Sequence, residues 1–228
     1  MSEAVEAFAV LLIVANVIFS MRGFRSRLFI EKYLFDAGSI LGRSEYYRLV
    51  TSGFLHANVP HLAFNMFALY SFSYGVGRVV GILDFVMIYF GSLIAGNLLA
   101  LQIHKRDPGY RALGASGAVS GVIFASILMY PHGKIAFLFF PVGIPSWIFG
   151  AGFIMVSIYG IRTGFGRLGH EAHLGGAIAG VLISLMIDPS MFATRWWLVL
   201  LLTVPVAVYL YLLVKRPDLA GRKRGGGL

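Results

Sequence analysis

No cysteine occurs among the 228 residues, which excludes disulfides, thiol nucleophiles and cysteine-held zinc and leaves the redox compartment open. Charge is scarce as well. Charged residues make up 13% of the chain and hydrophobic residues 58%, too little charge to cover a soluble globule of this size. The sequence therefore reads as a membrane protein. Acidic residues are scarcer still, 10 Asp/Glu against 19 Lys/Arg, for a net charge of +9. The basic excess sits in loops and in the tail KRPDLAGRKRGGGL, where membrane lipids with anionic headgroups are the expected partner and nucleic acid is not. The pattern of a secretory leader is also missing. Residues 8–20 are apolar, but MSEAVEAF places Glu3 and Glu6 where a basic leader would stand, and no small-x-small cleavage site follows. That segment is expected to be a retained span.

What the chain does have is a series of uncharged runs of spanning length, about 17 to 25 residues being needed to cross the hydrocarbon. They lie at about 4–21, 59–77, 82–103, 115–131, 145–161, 171–187 and 196–214. The expected fold class is an all-α integral membrane protein. PVGIP, within the uncharged stretch 135–161, predicts a loop before a helix at Trp147. The connection from Arg22 to about Asn58 carries six Lys/Arg, three Asp/Glu and the aromatics Phe24, Phe29, Tyr33, Phe35, Tyr46 and Tyr47. Such a loop is expected at the membrane interface.

Three clusters do not belong in lipid, where polar side chains are costly and mark function by default. In GFLHANVPHLAFN, Pro60 suits a first helical turn and Asn58 a cap, so His61 and Asn65 fall at i and i+4 on one face. An interfacial histidine and a helix-packing asparagine would look the same. His56 is expected in the loop, ordering it. In GASGAVSG, Gly114 and Gly117 flank Ser116 where a loop enters a helix, leaving its hydroxyl uncovered beside orphan N–H groups. Gly117 and Gly121 also fit a close helix-packing face. In GHEAHLGGAIAG, His173 opens an apolar helix, with Gly176 and Gly180 following on one side. Those small residues predict that this helix presses on the serine-bearing one, bringing His173 to Ser116. His170 and Glu171 are expected in an exposed loop just before it.

Together the clusters meet the needs of nucleophilic catalysis. A serine hydroxyl is a weak nucleophile until a neutral imidazole takes its proton. An oxyanion needs convergent donors, for which the Ser116 backbone N–H, His61 and Asn65 are the candidates. Asp84 and Asp188 fall at the wrong ends of their spans, and Glu171 would have to fold back. The expectation is a Ser116–His173 dyad without a carboxylate.

RLVTSGFLHANVPHLAFNMFALY, GASGAVSG and AHLGGAIAG, in this order, resemble the signature of the rhomboid intramembrane serine proteases over about residues 45–188. The resemblance implies Ser116 as nucleophile, His173 as general base, and an oxyanion hole from His61, Asn65 and the Ser116 backbone, with no metal or other cofactor. It also implies a six-helix core, residues 1–190, around a cavity open to one membrane face. A seventh span over 191–214 and a basic tail over 215–228 follow. Members of such a family cut the transmembrane segments of other membrane proteins, whose helical peptide bonds must first unwind to meet water.

The chain departs from the family at Ser120, where relatives often place an aromatic against the catalytic histidine. It departs again at Gly77, where they often place a glutamate. The resemblance implies a cytoplasmic N-terminus, which assigns 16 of the 19 Lys/Arg to the outside. The positive-inside rule alone gives the reverse. Two further classes fit parts of the pattern. A client-binding relative without catalysis would retain the fold. An intramembrane metalloprotease would use His170-Glu171-Ala172-His173, one residue short of the zinc-binding H-E-x-x-H spacing. The expected location is a bacterial inner membrane.

Overall fold

The computed structural model describes residues 2–137, 140–165 and 169–216; the expected basic tail lies almost wholly outside them. Helices dominate: α1 (Ser2–Arg25), α2 (Arg27–Tyr33), α3 (Ala37–Arg43), α4 (Arg48–Thr51), α5 (Val59–Gly77), α6 (Ile82–Ile103), α7 (Ser116–Met129), α8 (Ser146–Thr163), α9 (His170–Ile187) and α10 (Ser190–Lys215). Among the described residues, four helices are long and apolar enough to cross a membrane: Glu3–Arg25, Ile82–Ile103, His170–Ile187 and Ser190–Lys215. The protein is an all-α integral membrane protein; among the described residues the few strands form two small antiparallel pairs.

Helix α7 is the axis of the bundle. Its 14 residues reach only about 21 Å, short of the roughly 30 Å of a hydrocarbon core. Nearly all its side chains are buried. Ser116, its first residue, is half-buried. Helices α6 and α9 enclose it most extensively. Small residues allow this: a Cβ on Gly180 would stand 2.7 Å from the Gly121 Cα, and one on Gly117 would stand 3.2 Å from the Ala172 carbonyl oxygen. The backbones themselves are in contact, which lets dispersion and short-range packing stand in for the hydrophobic drive that lipid removes.

The connection after α1 is not the loop that its composition suggests. Helix α1 runs on to Arg25, and α2, α3, α4 and a 3₁₀ turn (Ser52–Phe54) follow. Ser26 and Asp36 cap α2 and α3 through bonds from the N–H groups of Phe29 and Ser39. Arg48, only 4% exposed, holds these pieces together. Its guanidinium donates to the Glu31 and Leu34 carbonyls at 2.9 and 2.8 Å and to the Glu45 carboxylate. One strand, β1 (Phe35–Asp36), pairs with β2 (Arg111–Ala112), tying this layer to the α6–α7 connection. Arg111 reinforces the tie with bonds to Asp36 and Glu31.

PVGIP is likewise no loop. It lies in β4 (Phe140–Pro145), which pairs with β3 (Lys134–Phe137); the prolines are tolerated because a two-stranded ribbon is all edge. The helix then starts at Ser146, whose hydroxyl bonds the Tyr130 and Pro131 carbonyls. At Gly77, a Cβ would stand 2.8 Å from Val5 Cβ, so the residue serves the α1–α5 packing.

Candidate active site

Three elements deliver the candidate residues to one place. Gly114 enters α7 with φ +140°, a conformation that favours glycine. A Cβ there would lie 2.8 Å from the His61 Cε1 and 3.6 Å from the Ser116 Oγ. His61 and Ser116 thus flank the same small space. Opposite them, α9 brings the His173 Nε2 to 2.7 Å from the Ser116 Oγ, within hydrogen-bond reach. Gly176 permits this approach, since a Cβ there would stand 3.1 Å from the Gly117 Cα.

Asn65 lies one turn below His61 on the face expected of it and is 3% exposed. Its amide donates to the His61 carbonyl at 3.0 Å. One N–H of the amide is therefore occupied within the helix. Asn58 caps the helix by accepting from the His61 N–H at 2.9 Å.

His56 does order its surroundings, from a buried position. The Ala115 N–H donates to His56 Nε2 at 3.4 Å, so Nδ1 carries the proton and donates to the Ser20 Oγ at 2.9 Å. Ser20 passes its own hydrogen to the Phe54 carbonyl at 3.1 Å. This chain joins α1, the 3₁₀ turn and the residue before the candidate nucleophile. Burial, then the neighbouring His61, pushes the His56 pKa down to about 3, so the ring is neutral near pH 7.

Two expectations need correction. His170 and Glu171 are not in an exposed loop; they form the first turn of α9 and are 4% and 6% exposed. Glu171 turns to His104, at 2.8 Å, and to the Tyr110 hydroxyl, at 3.3 Å. His170 Nε2 donates to the Phe165 carbonyl at 2.9 Å. The three polar side chains of HEAH thus turn to separate partners: His170 to Phe165, Glu171 to His104 and Tyr110, and His173 to Ser116. Among the described residues, no group of three or more His, Asp or Glu converges as metal donors.

Sequence reasoning missed two residues, one packed on the candidate base and one on its neighbour Glu171. Phe153 on α8 packs its ring 6.0 Å from that of His173, occupying the role that Ser120, itself buried, does not fill. His104 had no signal of its own, because its partner lies 67 positions away.

Against this geometry stand the likenesses to known proteins. The chain is 32% identical over 150 residues to "Rhomboid protein 1, mitochondrial" of Saccharomyces cerevisiae, covering 64% of this chain and 43% of that one. It is 32% identical over 139 residues to the human "Presenilin-associated rhomboid-like protein, mitochondrial", covering 58% and 36%. It is 30% identical over 144 residues to "Rhomboid protease GluP" of Bacillus subtilis, covering 62% and 26%. In each case the match spans less than half of the relative's length. The rhomboid domain profile matches residues 43–190, a range that takes in His61, Asn65, Ser116 and His173. This chain is a member of the rhomboid family of integral membrane proteins.

Proposed function

We propose that the protein is an intramembrane serine endopeptidase in which Ser116 is the nucleophile and His173 the general base. The observation that carries this reading is the 2.7 Å contact between Ser116 Oγ and His173 Nε2, made at the start of a short helix inside the bundle. As the Ser116 Oγ attacks a carbonyl carbon of a substrate's unwound transmembrane segment, its proton passes to His173 Nε2. The tetrahedral intermediate's oxyanion takes hydrogen bonds from the Ser116 backbone N–H, His61 and the second N–H of Asn65. His173 then gives the proton to the departing amine as the C–N bond breaks. Water then attacks the acyl carbon, giving its proton to the same imidazole, which returns it to the Ser116 Oγ as the acyl C–Oγ bond breaks. Gly114 leaves the space between His61 and Ser116 open, and Gly117, Gly176 and Gly180 keep the two helices at contact distance. No metal or other cofactor takes part in this sequence of steps.

In this proposal residues 1–190 form the six-span core, 191–214 a seventh span and 215–228 a basic tail. Helix α5 packs chiefly on α1 and α7, and α8 on α9 and α10. Helices α5 and α8, which begin near Pro60 and Trp147, are the candidates for admitting a transmembrane substrate. The proposed location is a bacterial inner membrane; the relatives named above are mitochondrial in two cases and bacterial in one. The test is cleavage of a tagged transmembrane substrate by protein reconstituted in liposomes. Wild type should cut, and Ser116→Ala and His173→Ala should not while remaining folded. Cleavage surviving in Ser116→Ala would overturn the reading.

A further inference from the structure

The first turn of α9 is held from four directions by four consecutive residues. His170 bonds the Phe165 carbonyl beyond α8, and Glu171 bonds the α6–α7 connection. Ala172 is wedged against Gly96 and Gly117, and His173 meets Ser116. Successive residues on a helix point about 100° apart, so these four contacts encircle the turn. The glycine contacts fix how closely α9 approaches its neighbours. They do little to fix its roll about its own axis, because smooth, small surfaces slide.

Glu171 is placed to set that roll. A carboxylate is rarely buried unless paired and hydrogen-bonded, and this one accepts from both His104 Nε2 and the Tyr110 hydroxyl. Those two rings are stacked on each other, centroids 3.5 Å apart and planes within 5°, so they act as one rigid plate. Phe35 packs its ring edge-on to Tyr110 at 5.9 Å, and the plate is continuous with the β1–β2 pair. Burial, then the Glu171 charge, holds the Tyr110 hydroxyl well above the usual tyrosine range, keeping it a donor.

We propose that Glu171, clamped by His104 and Tyr110, is a positioning residue that fixes the rotational setting of His173 against Ser116. The inference rests on the serine-protease reading above. Side-chain tips stand about 5–6 Å from a helix axis, so a roll of about 15° would shift the imidazole by about 1.5 Å. Displacement of about 1 Å can cost about 10²-fold in rate. Glu171 touches neither Ser116 nor substrate in this account. It acts through the backbone of the turn it shares with His173.

The experiment measures kcat and KM on a transmembrane substrate in liposomes, with the rate of Ser116 labelling by a small fluorophosphonate, which needs no substrate docking. Glu171→Ala should lower kcat and the labelling rate together by about 10- to 10²-fold with KM within about threefold. Glu171→Gln keeps the shape and one acceptor oxygen and should recover most of the rate. Tyr110→Phe and His104→Gln, changed on the facing loop, should lower kcat in the same pattern, and they decide the matter where Glu171→Ala fails to fold. Wild-type kcat and labelling in folded Glu171→Ala, or a loss confined to KM, would overturn the inference. Ser116→Ala run alongside separates the failures. If it cuts like wild type, the serine reading fails and this inference with it. If it is dead and Glu171→Ala behaves as wild type, this inference alone fails.

Discussion

Gly176 and Gly117 meet backbone to backbone: a Cβ built on Gly176 would stand 3.1 Å from the Gly117 Cα and closer still to its carbonyl. The Ser116–His173 contact depends on that approach, because any side chain on Gly176 pushes α9 away from α7. Gly176→Ala should lower activity, and Gly176→Val should abolish it. A thermal melt should show destabilisation of about 1–3 kcal/mol, the usual cost of overpacking. Retained activity in Gly176→Val would show that the helices reach each other another way.

The proposed oxyanion donors should behave as transition-state groups. His61→Ala and Asn65→Ala are each expected to lower kcat about 10²- to 10³-fold with little change in KM. Steady-state kinetics on a reconstituted substrate checks this, and a rise in KM at constant kcat would assign either residue to binding instead.

His56 links α1 to the residue before Ser116, and its neutral state carries a signed pH dependence. The folded pKa is depressed from 6.5 to about 3, so the folded state resists a proton that the unfolded chain accepts. The stabilisation is complete above pH 6.5 and is lost progressively as pH falls towards 3, by at most about 1.4 kcal/mol per pH unit. His56→Gln, which does not titrate, should be less stable than wild type at pH 7 and lose less on acidification to pH 4. Parallel melts of the two proteins at both values measure it.

Arg48 gives the first connection its order. Substitution by alanine strands the Glu31 and Leu34 carbonyls, while Arg43 still holds the Glu45 carboxylate, with an expected cost of about 1–3 kcal/mol. Arg48→Lys cannot reproduce the fork of donors and should also lose stability. Limited proteolysis between residues 26 and 58 should rise in both variants.

The parts of this molecule that were legible in the sequence are those written in local pattern. Apolar run length marked the helices, and glycines spaced by four on two segments marked where α7 and α9 touch. Ser116 and His173 stood out because a hydroxyl and an imidazole interrupted lipid-like sequence. The unread parts depend on distant partners. Helices α2 and α3 have seven residues each, too few for periodicity to show, and their order comes from Arg48. Strands β3 and β4 were hidden because PVGIP carries the residues of a turn. Glu171 reads as exposed because a charge at the start of an apolar run ordinarily meets water, whereas His104 and Tyr110, far away in sequence, make its burial possible. Phe153 was invisible for the same reason, since only packing brings α8 to His173.

The most direct test of the central claim is to treat the purified protein with a fluorophosphonate and map the adduct by mass spectrometry. The account predicts one adduct, on Ser116, formed in wild type and lost or slowed by at least about 10³-fold in folded His173→Ala. A wild-type protein that cleaves a transmembrane substrate while Ser116 stays unmodified, or labelling that is indifferent to His173, would contradict it.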